Sequence, residues 1–416
     1  MERARALGKT IESIARGFAA ITIYGARQVG KSTFATMIFG KDIPAVTLDD
    51  IEELALAKAN PKLFLEAHPW PLIIDEVQKA PGLLPALKEA IDKEKQKWVF
   101  EDKPPRLMYI LTGSSQMELR TAVSESLAGR TAVFNMASFS LDEIDGYERG
   151  AFIPTIEKIQ ERAAGESRYR TRSELFEEIF KGGMPEYRFQ NLDRDAFFRS
   201  YIATYLQKDI ASLIPPDKMH IFRQFVEYIA LRTAQQINYE DVSGGVGIDV
   251  RTVKRWLSIL EATQIIYFLR PYAKNLSDRV VKSPKLYFLD TGLAAYLCRW
   301  PNASMLEKGP MAGAFFETFI ISEIVKSHLG EGKVLEELPF YYYRDKDQKE
   351  ADFIYESVEG IVPIKIKKGI NPVSSNFNFD FLNKYQKPVL RGFVIACRES
   401  LLPINEKVWY CPASLI

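Results

Sequence analysis

The 416-residue sequence is long enough for two or three domains. Its 55 basic and 54 acidic residues leave a formal net charge of +1, which excludes a polycation that coats nucleic acid non-specifically but not a local basic face. The three cysteines and three histidines show no metal-ligand spacing, so we expect reduced thiols, a cytoplasmic location and, for any metal, Mg²⁺ on oxygen ligands. No apolar run is long enough to cross a bilayer, so no membrane partner is expected.

The chain divides into four predicted regions. Residues 1–145 alternate apolar strands with helical segments, which predicts a parallel α/β sheet. Residues 146–215 are helical and charged, typical of a linker or lid. Residues 216–300 predict three helices and paired strands, the order of a winged helix-turn-helix, with the second helix stopping at Gly244 and Gly245. Residues 305–416 predict a separate α/β domain. The strands expected in the first region cover residues 21–24, 45–48, 72–74, 107–111 and 131–136.

A glycine-rich turn follows the first predicted strand and precedes a helix. The segment Gly25-Ala-Arg-Gln-Val-Gly30-Lys31-Ser32 fits the pattern G-x-x-x-x-G-K-[ST] in full. Its backbone N–H groups and the helix N-terminus behind them can converge on phosphate oxygens. We expect Lys31 to reach the β- and γ-phosphates of ATP and Ser32 to ligate Mg²⁺. The predicted nucleotide contacts are Gly25, Ala26, Arg27, Gln28, Val29, Gly30, Lys31, Ser32, Thr33 and, from a later strand, Ser114.

Two adjacent acids end the third predicted strand, in the segment Pro71-Leu-Ile-Ile-Asp75-Glu76. This is a Walker B pattern. The strand carries Asp75 to the sheet edge, where it can organise the Mg²⁺ shell, and Glu76 can polarise the attacking water. Lys31 and Glu76 are therefore predicted to be catalytic, and Ser32 and Asp75 to be metal ligands. Together with the glycine-rich turn, the pattern predicts a P-loop NTPase sheet and an ATP hydrolase.

Two further groups belong to the expected site. The run Leu111-Thr112-Gly113-Ser114-Ser115 ends the fourth strand, and its hydroxyls would face the γ-phosphate from an adjacent strand. Arg130 follows a short helix. It is predicted either to act in trans as an arginine finger, which would require an oligomer such as a ring, or to pair with a carboxylate on the surface of a monomer. The sequence favours neither alternative.

These segments resemble a prokaryotic branch of AAA+-like P-loop ATPases, in which an AAA domain precedes a C-terminal domain of unknown function. The resemblance covers nearly the whole chain. It implies a sheet with the P-loop strand central and the Glu76 strand beside it, and it implies ATPase chemistry without naming a substrate. The runs that carry it are Tyr24-Gly-Ala-Arg-Gln-Val-Gly-Lys-Ser, Ile74-Asp-Glu-Val-Gln-Lys, Leu111-Thr-Gly-Ser-Ser, Ser126-Leu-Ala-Gly-Arg, Lys181-Gly-Gly-Met-Pro-Glu, Tyr205-Leu-Gln-Lys-Asp, Tyr287-Phe-Leu-Asp-Thr-Gly-Leu and Phe315-Phe-Glu.

The last predicted helix of the winged-helix segment, residues 250–262, has a basic start. Residues 251–285 hold eight basic and two acidic side chains, a local patch of the kind that attracts phosphates. The residues predicted to contact DNA from this helix are Arg251, Thr252, Lys254 and Arg255. Additional contacts are expected from the wing, at Lys274, Arg279 and Lys282. Winged helices also dock proteins and pack domains, so an acidic partner domain is the alternative.

The C-terminal region is similar to the PD-(D/E)xK nuclease layout, in which carboxylates hold a divalent ion and a lysine steadies the attacking water or the scissile phosphate. Its candidate residues are Glu317 on a helix, Asp352 on a strand and Lys367 on the next strand. The departure is Lys365, where the pattern requires glutamate, because a cation there removes a metal ligand and repels Mg²⁺. Glu317 or Glu350 could compensate, but we expect a restriction-endonuclease-like fold without nuclease activity, kept for binding or packing.

Two functions follow from these patterns. In the first, a Mg²⁺-dependent ATPase couples ATP binding and hydrolysis to its grip on DNA through the winged helix. In the second, the protein is a nucleotide-gated switch that binds a protein partner and no DNA. Neutralising the basic helix start separates the two, because only the first predicts DNA binding that falls when those charges are removed.

Overall fold

The computed structural model describes residues 3–114, 117–165, 168–211, 213–273, 283–372 and 377–416, without the side chains of residues 117–120, 207 and 208. Two β-sheets organise these residues, one formed early in the chain and one formed late. Four residues named above lie outside the described ranges: Ser115, Lys274, Arg279 and Lys282.

The first sheet contains five parallel strands, which confirms the parallel α/β prediction for this region. The strands are β1 (Ala20–Gly25), β2 (Ala45–Thr47), β3 (Leu72–Asp75), β4 (Tyr109–Ser114) and β5 (Thr131–Asn135), in the order β2-β3-β4-β1-β5. The helices of this region are α1 (Leu7–Ala15), α2 (Lys31–Phe39), α3 (Ile51–Ala59), α4 (Pro61–Ala67), α5 (Leu83–Phe100) and α6 (Met117–Ser126).

The strand that ends in the Walker B acids does not lie beside the P-loop strand, so that expectation was wrong. Strand β4 lies between β1 and β3. It pairs with β1, where Gly25 is opposite Ser114, and with β3, where Ile74 is opposite Leu111. All residues of β1 and β4 are buried, as befits the middle of a parallel sheet. An apolar run indicates that a strand is buried but does not specify which strand lies beside it. The sequence therefore could not show that β4 lies between β1 and β3.

The region after the first sheet is helical, as predicted. Its helices are α7 (Leu141–Asp145), α8 (Ile156–Ala164), α9 (Arg172–Lys181), α10 (Pro185–Phe189) and α11 (Arg194–Tyr205). Helix α7 begins with a capping box in which Ser140 and Glu143 satisfy each other's backbone N–H groups. A π-helical turn, Leu206–Ile210, continues α11. Such turns are frequent at functional sites.

Three helices then follow: α12 (Met219–Ala230), α13 (Tyr239–Val246) and α14 (Val250–Ala262). Helix α14 has the predicted bounds. Helix α13 does not stop at Gly244 and Gly245 but continues to Val246 and ends at Gly247, which has φ +78°. A Cβ on Gly245 would lie within 2.6 Å of the Tyr228 ring. The glycine therefore allows α12 and α13 to pack closely and does not end the helix.

The second sheet is mixed and runs through both halves of the remaining chain. Its strands are β6 (Gln235–Gln236), β7 (Ile266–Pro271), β8 (Lys285–Phe288), β9 (Phe340–Arg344), β10 (Glu350–Glu356), β11 (Ile361–Lys367), β12 (Gly392–Ala396), β13 (Leu402–Pro403) and β14 (Val408–Pro412). Their order is β13-β14-β12-β11-β10-β9-β7-β8-β6, and β7 pairs with β9 in parallel. The sheet therefore continues across the boundary predicted at residues 300–305.

The helices after β8 are α15 (Thr291–Leu297), α16 (Ala303–Lys308) and α17 (Ala312–Gly330). Fourteen of the 19 residues of α17 are buried, so it is enclosed on most of its surface. It packs against β8 and β11 of the second sheet and against α1. Neither α17 nor another helix within the described ranges is long and apolar enough to cross a membrane.

Candidate functional site

The P-loop is a tight turn between β1 and α2, and its two glycines are required by the geometry. A Cβ on Gly25 would lie 2.2 Å from the carbonyl oxygen of Met136, which follows β5. Gly30 has φ +91°, which strains any residue that carries a side chain. Helix α2 begins directly after it at Lys31, so the free N–H groups of the first helical turn are available to phosphate oxygens.

Lys31 lies inside this turn and is only 7% exposed. Its Nζ donates hydrogen bonds to the carbonyl oxygens of Gly25 (3.1 Å) and Ala26 (2.9 Å). Burial lowers the pKa of the Lys31 ammonium, and the nearby carboxylates of Glu76, Asp209 and Asp75 oppose that shift. The amine is therefore held at the phosphate-binding turn, surrounded by acids that favour its charged form.

The Walker B aspartate accepts hydrogen bonds from two hydroxyl groups. Ser32 Oγ donates to Asp75 Oδ1 over 2.8 Å, and Thr112 Oγ1 on β4 donates to the same oxygen. Both donors are neutral, so the carboxylate keeps its negative charge for a cation. A serine hydroxyl and a carboxylate side by side are the oxygen ligands that Mg²⁺ prefers, so these residues fit the ion that the sequence predicts.

Glu76 follows Asp75 in a left-handed backbone conformation, with φ +58°. Gln78 donates a hydrogen bond from Nε2 to its carboxylate. A non-glycine residue held in this region of backbone space is uncommon, and such strain clusters at functional sites. Glu76 is therefore held in a strained backbone conformation directly after the strand that carries Asp75.

The P-loop also contacts the π-helical turn of the helical region. Arg27 Nη1 lies 3.1 Å from Asp209 Oδ1, with side chains that are 14% and 4% exposed. Burial raises the pKa of Asp209, whereas Arg27, Lys31 and Ser114 lower it. Two residues predicted to bind nucleotide, Arg27 and Lys31, thus attract a carboxylate contributed from outside the first sheet.

A second group of charged residues lies where β8, β10, β11 and α17 meet. Lys285 Nζ lies 3.1 Å from Glu317 Oε1 and 3.0 Å from Glu350 Oε1. Lys365 Nζ lies 3.1 Å from Asp352 Oδ1 and 3.4 Å from Glu350 Oε2. We call these residues the lysine–carboxylate cluster. Two ammonium groups therefore occupy the space between the carboxylates that the nuclease layout would give to a metal ion.

Two further hydrogen bonds reach the carboxylates of the lysine–carboxylate cluster. Tyr287 OH donates to Glu317 (2.6 Å), and the backbone N–H of Ile366 donates to Asp352 (2.8 Å). Burial raises the pKa of Glu317 to about 7, with Asp352 adding to the shift and Lys285 opposing it. Burial alone would lower the pKa of Lys285, but Glu317, Asp352 and Glu350 raise it. The charges of the two lysines therefore offset those of the acids in this cluster.

The other residue of the nuclease layout is not part of that cluster. Lys367, the candidate lysine, is exposed on β11 and makes no ion pair with the described residues. Within the same ranges, no group of three or more carboxylate, imidazole or thiol side chains is arranged to hold a metal ion. Asp352 and Glu317 do come together as expected, and Glu350 joins them.

The predicted DNA-contacting residues lie on the first two turns of α14. Asp249 caps this helix by accepting the backbone N–H of Thr252 at 2.9 Å, and it also accepts the Thr252 hydroxyl. Arg251 and Lys254 are exposed, and Lys254 Nζ lies 5.1 Å from the centre of the Tyr239 ring. Arg255 is also exposed, but it donates a hydrogen bond to a backbone carbonyl before α12, at Leu213 (2.9 Å).

Three family models match successive parts of the chain. Residues 17–145 match an AAA domain. The chain contains an AAA domain. Residues 172–304 match a domain of unknown function (DUF8612), and residues 312–416 match a second one (DUF4143). The order that the resemblance implied, an AAA domain followed by C-terminal sequence of unknown function, is confirmed.

A mycobacterial protein is similar to nearly the whole chain. The chain is 25% identical over 400 residues to the uncharacterized protein Rv2008c of Mycobacterium tuberculosis, covering 95% of this chain and 80% of that protein. Among solved structures, the Walker-type ATPase paby2304 of Pyrococcus abyssi matches with 13% identity and a TM-score of 0.42, over 70% of this chain and 94% of that one. Drosophila ORC bound to DNA matches with 12% identity and a TM-score of 0.23, over 70% and 84%. Both TM-scores are too low to support an argument about function.

Arg130 lies at the amino-terminal ends of the strands of the AAA domain, whereas the P-loop lies at their carboxyl-terminal ends. It directly precedes β5, and its carbonyl accepts the N–H of Ala20 at the start of β1. Its Nε and Nη2 donate to the two carboxylate oxygens of Asp92 at 2.6 and 2.8 Å. Within one chain Arg130 therefore makes the carboxylate pair that was the second alternative, and it does not reach the AAA domain's own P-loop.

Two residues of these sites received no role from the sequence, and a third, Thr112, was expected to face the γ-phosphate with the other hydroxyls of its run. Thr112 binds Asp75 because alternate residues of β4 share one face of the strand. Asp209 stands in the run Tyr205-Leu-Gln-Lys-Asp, which the resemblance marked, but nothing in that run indicates a contact with the AAA domain. Lys285 precedes the expected nuclease-like region by twenty residues, and only the continuous second sheet brings it there.

Proposed function

We propose that the protein is a Mg²⁺-dependent ATP hydrolase in which ATP binding and hydrolysis change the affinity for DNA. The observation that carries the ATPase part is the convergence of Ser32 and Thr112 on Asp75, close to Lys31 and Glu76. The arrangement supports the proposal because it brings a phosphate-neutralising amine, oxygen ligands for an ion and a candidate base together at the carboxyl ends of β1, β4 and β3, which are successive strands of the sheet. Those are the parts that phosphoryl transfer to water requires.

Each residue has a distinct role in the proposed reaction. The backbone N–H groups of the P-loop and Lys31 bind the phosphates and neutralise their charge. Ser32 and Asp75 would hold Mg²⁺, which would supply Lewis-acid stabilisation of charge on the phosphate oxygens. Glu76 orients the attacking water and accepts its proton. Ser114 ends the strand between β1 and β3, where it can contact the terminal phosphate.

The P-loop is packed directly against the segments that follow α14, which supports coupling to the downstream domains. Ala26 and Val29 of the loop face Ile265 and Leu293 across a void of only about 10 Å³. A second junction lies nearby, where the backbone N–H of Gly183 donates to Asp290 Oδ2 over 2.8 Å. A movement of the P-loop on nucleotide binding would therefore reach these segments without crossing a mobile linker.

The DNA part of the proposal rests on the basic start of α14. Arg251 and Lys254 are exposed there, and exposed cations on such a helix are suited to phosphate contacts. We expect duplex DNA to stimulate ATP hydrolysis. The double variant Arg251→Ala/Lys254→Ala should bind DNA about tenfold more weakly, with a log–log salt slope lower in magnitude by about two. The matched control Lys62→Ala, an exposed lysine on α4, should behave as wild type.

The competing function, a nucleotide-gated protein switch, is favoured by one observation. Arg255 is tied to the Leu213 carbonyl, and Lys254 lies over the Tyr239 ring, so part of the basic start already has partners within its own domain. This alternative predicts that DNA neither binds nor changes the ATPase rate. It also predicts that a protein partner is recovered with wild type in ATP and is lost with Lys31→Ala.

A further inference from the structure

The Asp209 carboxylate lies against Arg27 of the P-loop and near Lys31, which the proposed function assigns to the phosphates of ATP. Arg27 of the P-loop binds it at 3.1 Å. The buried ammonium of Lys31 also attracts the Asp209 carboxylate. A carboxylate in this position makes the same type of contact that a phosphate oxygen would make, namely a charge-assisted interaction with a guanidinium and an ammonium.

Asp209 belongs to the π-helical turn Leu206–Ile210 at the end of α11, not to the AAA domain. Its side chain is 4% exposed, so the turn inserts it into the protein rather than leaving it at the surface. A π turn adds one residue to a helical turn and redirects the side chains that follow. This local irregularity places the carboxylate against the P-loop.

Two negative groups cannot share these cations without cost. A triphosphate seated on the P-loop would bring its own negative oxygens toward Arg27 and Lys31, and at such short range, away from bulk water, the repulsion from Asp209 is strong. Either the carboxylate is displaced or nucleotide affinity falls. ADP lacks the third phosphate, so it would meet less of this repulsion.

We propose that Asp209 is an intramolecular competitor for the γ-phosphate, and that ATP but not ADP drives the Leu206–Ile210 turn away from the P-loop. This inference rests on the proposed nucleotide function and adds its regulation. The displaced turn is continuous with α11 and is followed by α12. The basic helix α14 contacts the link between the turn and α12, because Arg255 donates to the Leu213 carbonyl. When the terminal phosphate displaces Asp209, the helical region would therefore move with the turn.

The test compares the affinities of wild type and Asp209→Asn for Mg²⁺-ATP and Mg²⁺-ADP, measured by isothermal titration with a non-hydrolysable ATP analogue. Asparagine keeps the size and a hydrogen-bonding oxygen but removes the charge. We expect the variant to bind the ATP analogue about tenfold more tightly and ADP less than about threefold more tightly. Asp195→Asn, an exposed aspartate in the first turn of α11, is the matched control and should leave both affinities unchanged.

The possible outcomes distinguish a failure of the proposed competition by Asp209 from a failure of the proposed nucleotide site. If wild type and Asp209→Asn bind both nucleotides with the same ratio of affinities, the competition is refuted while the nucleotide site stands. If neither protein binds either nucleotide, the proposed function and this inference fail together. If only the variant binds the ATP analogue, competition by Asp209 is supported in its strongest form.

A second measurement uses only wild-type protein, so it does not depend on whether the variant folds. Hydrogen exchange of the peptide covering residues 205–211 should be faster with the saturating ATP analogue than with saturating ADP, because the turn leaves its buried position. Equal exchange in the two complexes, or greater protection with the ATP analogue, would overturn the proposed displacement.

Discussion

The P-loop site and the lysine–carboxylate cluster both contain lysines and carboxylates, but the carboxylates have different hydrogen-bond partners in the two sites. At the P-loop, Asp75 is bound by the neutral hydroxyls of Ser32 and Thr112, and its charge remains for a cation. In the cluster, Lys285 and Lys365 lie within ion-pair distance of the carboxylates. Acids at strand ends are therefore not diagnostic of a metal site. The charge of the group that already binds them decides whether an ion can enter.

The largest expected effect comes from removing the amine of the P-loop, which tests whether the P-loop is the catalytic site. Lys31→Ala should lower the ATP hydrolysis rate by about 100-fold or more, because the lysine neutralises charge that develops on the transferred phosphate. The rate is measured by phosphate release at saturating Mg²⁺-ATP. Lys9→Ala, at an exposed lysine on α1, is the control, and equal rates for the two variants would show that the P-loop is not the catalytic site.

The second prediction separates the roles of the two adjacent acids. Glu76→Gln should still bind Mg²⁺-ATP but hydrolyse it about 100-fold more slowly, since a proton acceptor contributes roughly that factor. Asp75→Asn should instead reduce the dependence of nucleotide affinity on Mg²⁺. Titrations with and without Mg²⁺ distinguish these effects. A Glu76→Gln variant with wild-type turnover would mean that another group activates the water.

The third prediction addresses the lysine–carboxylate cluster. Lys285→Met should lower the free energy of unfolding by about 3 kcal/mol, because the partly buried carboxylates of Glu317 and Glu350 would lose their shared cation. Lys367→Met, at an exposed lysine two residues beyond Lys365, should change it by less than about 0.5 kcal/mol. Urea unfolding measures both. Similar stabilities of the two variants would show that the cluster does not need its lysine charge.

The same cluster predicts an absence of nuclease activity. Wild-type protein incubated with plasmid DNA and either Mg²⁺ or Mn²⁺ should leave the DNA intact, because Lys285 and Lys365 lie where an ion would bind. Cleavage by wild type that disappears in Asp352→Ala would contradict the reading of this region as a charge-balanced cluster.

The fourth prediction concerns a buried neutral base on α17, the helix that also carries Glu317. His328 Nε2 lies 3.0 Å from the carbonyl oxygen of Phe152, and burial lowers the pKa of His328 to about 4. The ordinary value is 6.5, so the unfolded state takes up a proton first as the pH falls. Stability present above pH 6.5 should therefore decrease by up to about 3 kcal/mol toward pH 4.

His328→Gln is the comparison for this pH effect, since glutamine can still donate to Phe152 but does not titrate. The difference in unfolding free energy between the two proteins, measured by urea unfolding from pH 7 to pH 4, should change with pH in the stated direction. A constant difference across that range would show that His328 is not kept neutral by the fold.

The sequence predicted the local parts of the molecule well. The glycine pattern gave the P-loop, the hydrophobic runs gave the parallel sheet, and the Asp249 cap gave the start of α14. These features depend on neighbouring residues along the chain. The strand order was wrong because β1 and β4 are both fully buried and their apolar patterns do not say which strands pair.

What the sequence missed involves contacts between distant segments. Gly245 looked like a helix stop, but its role depends on the Tyr228 ring of another helix. Asp209 and Lys285 lie in segments that belong to other regions by sequence, and they reach their sites through a π-helical turn and through a sheet shared between regions. Single-sequence patterns contain no information on such pairings.

The most direct test of the central claim is a titration of the intact chain with a fluorescent ATP analogue in the presence and absence of Mg²⁺. The account predicts saturable binding that is stronger with Mg²⁺ and is abolished in Lys31→Ala. Absence of saturable binding by folded wild-type protein, or equal binding by Lys31→Ala, would contradict it.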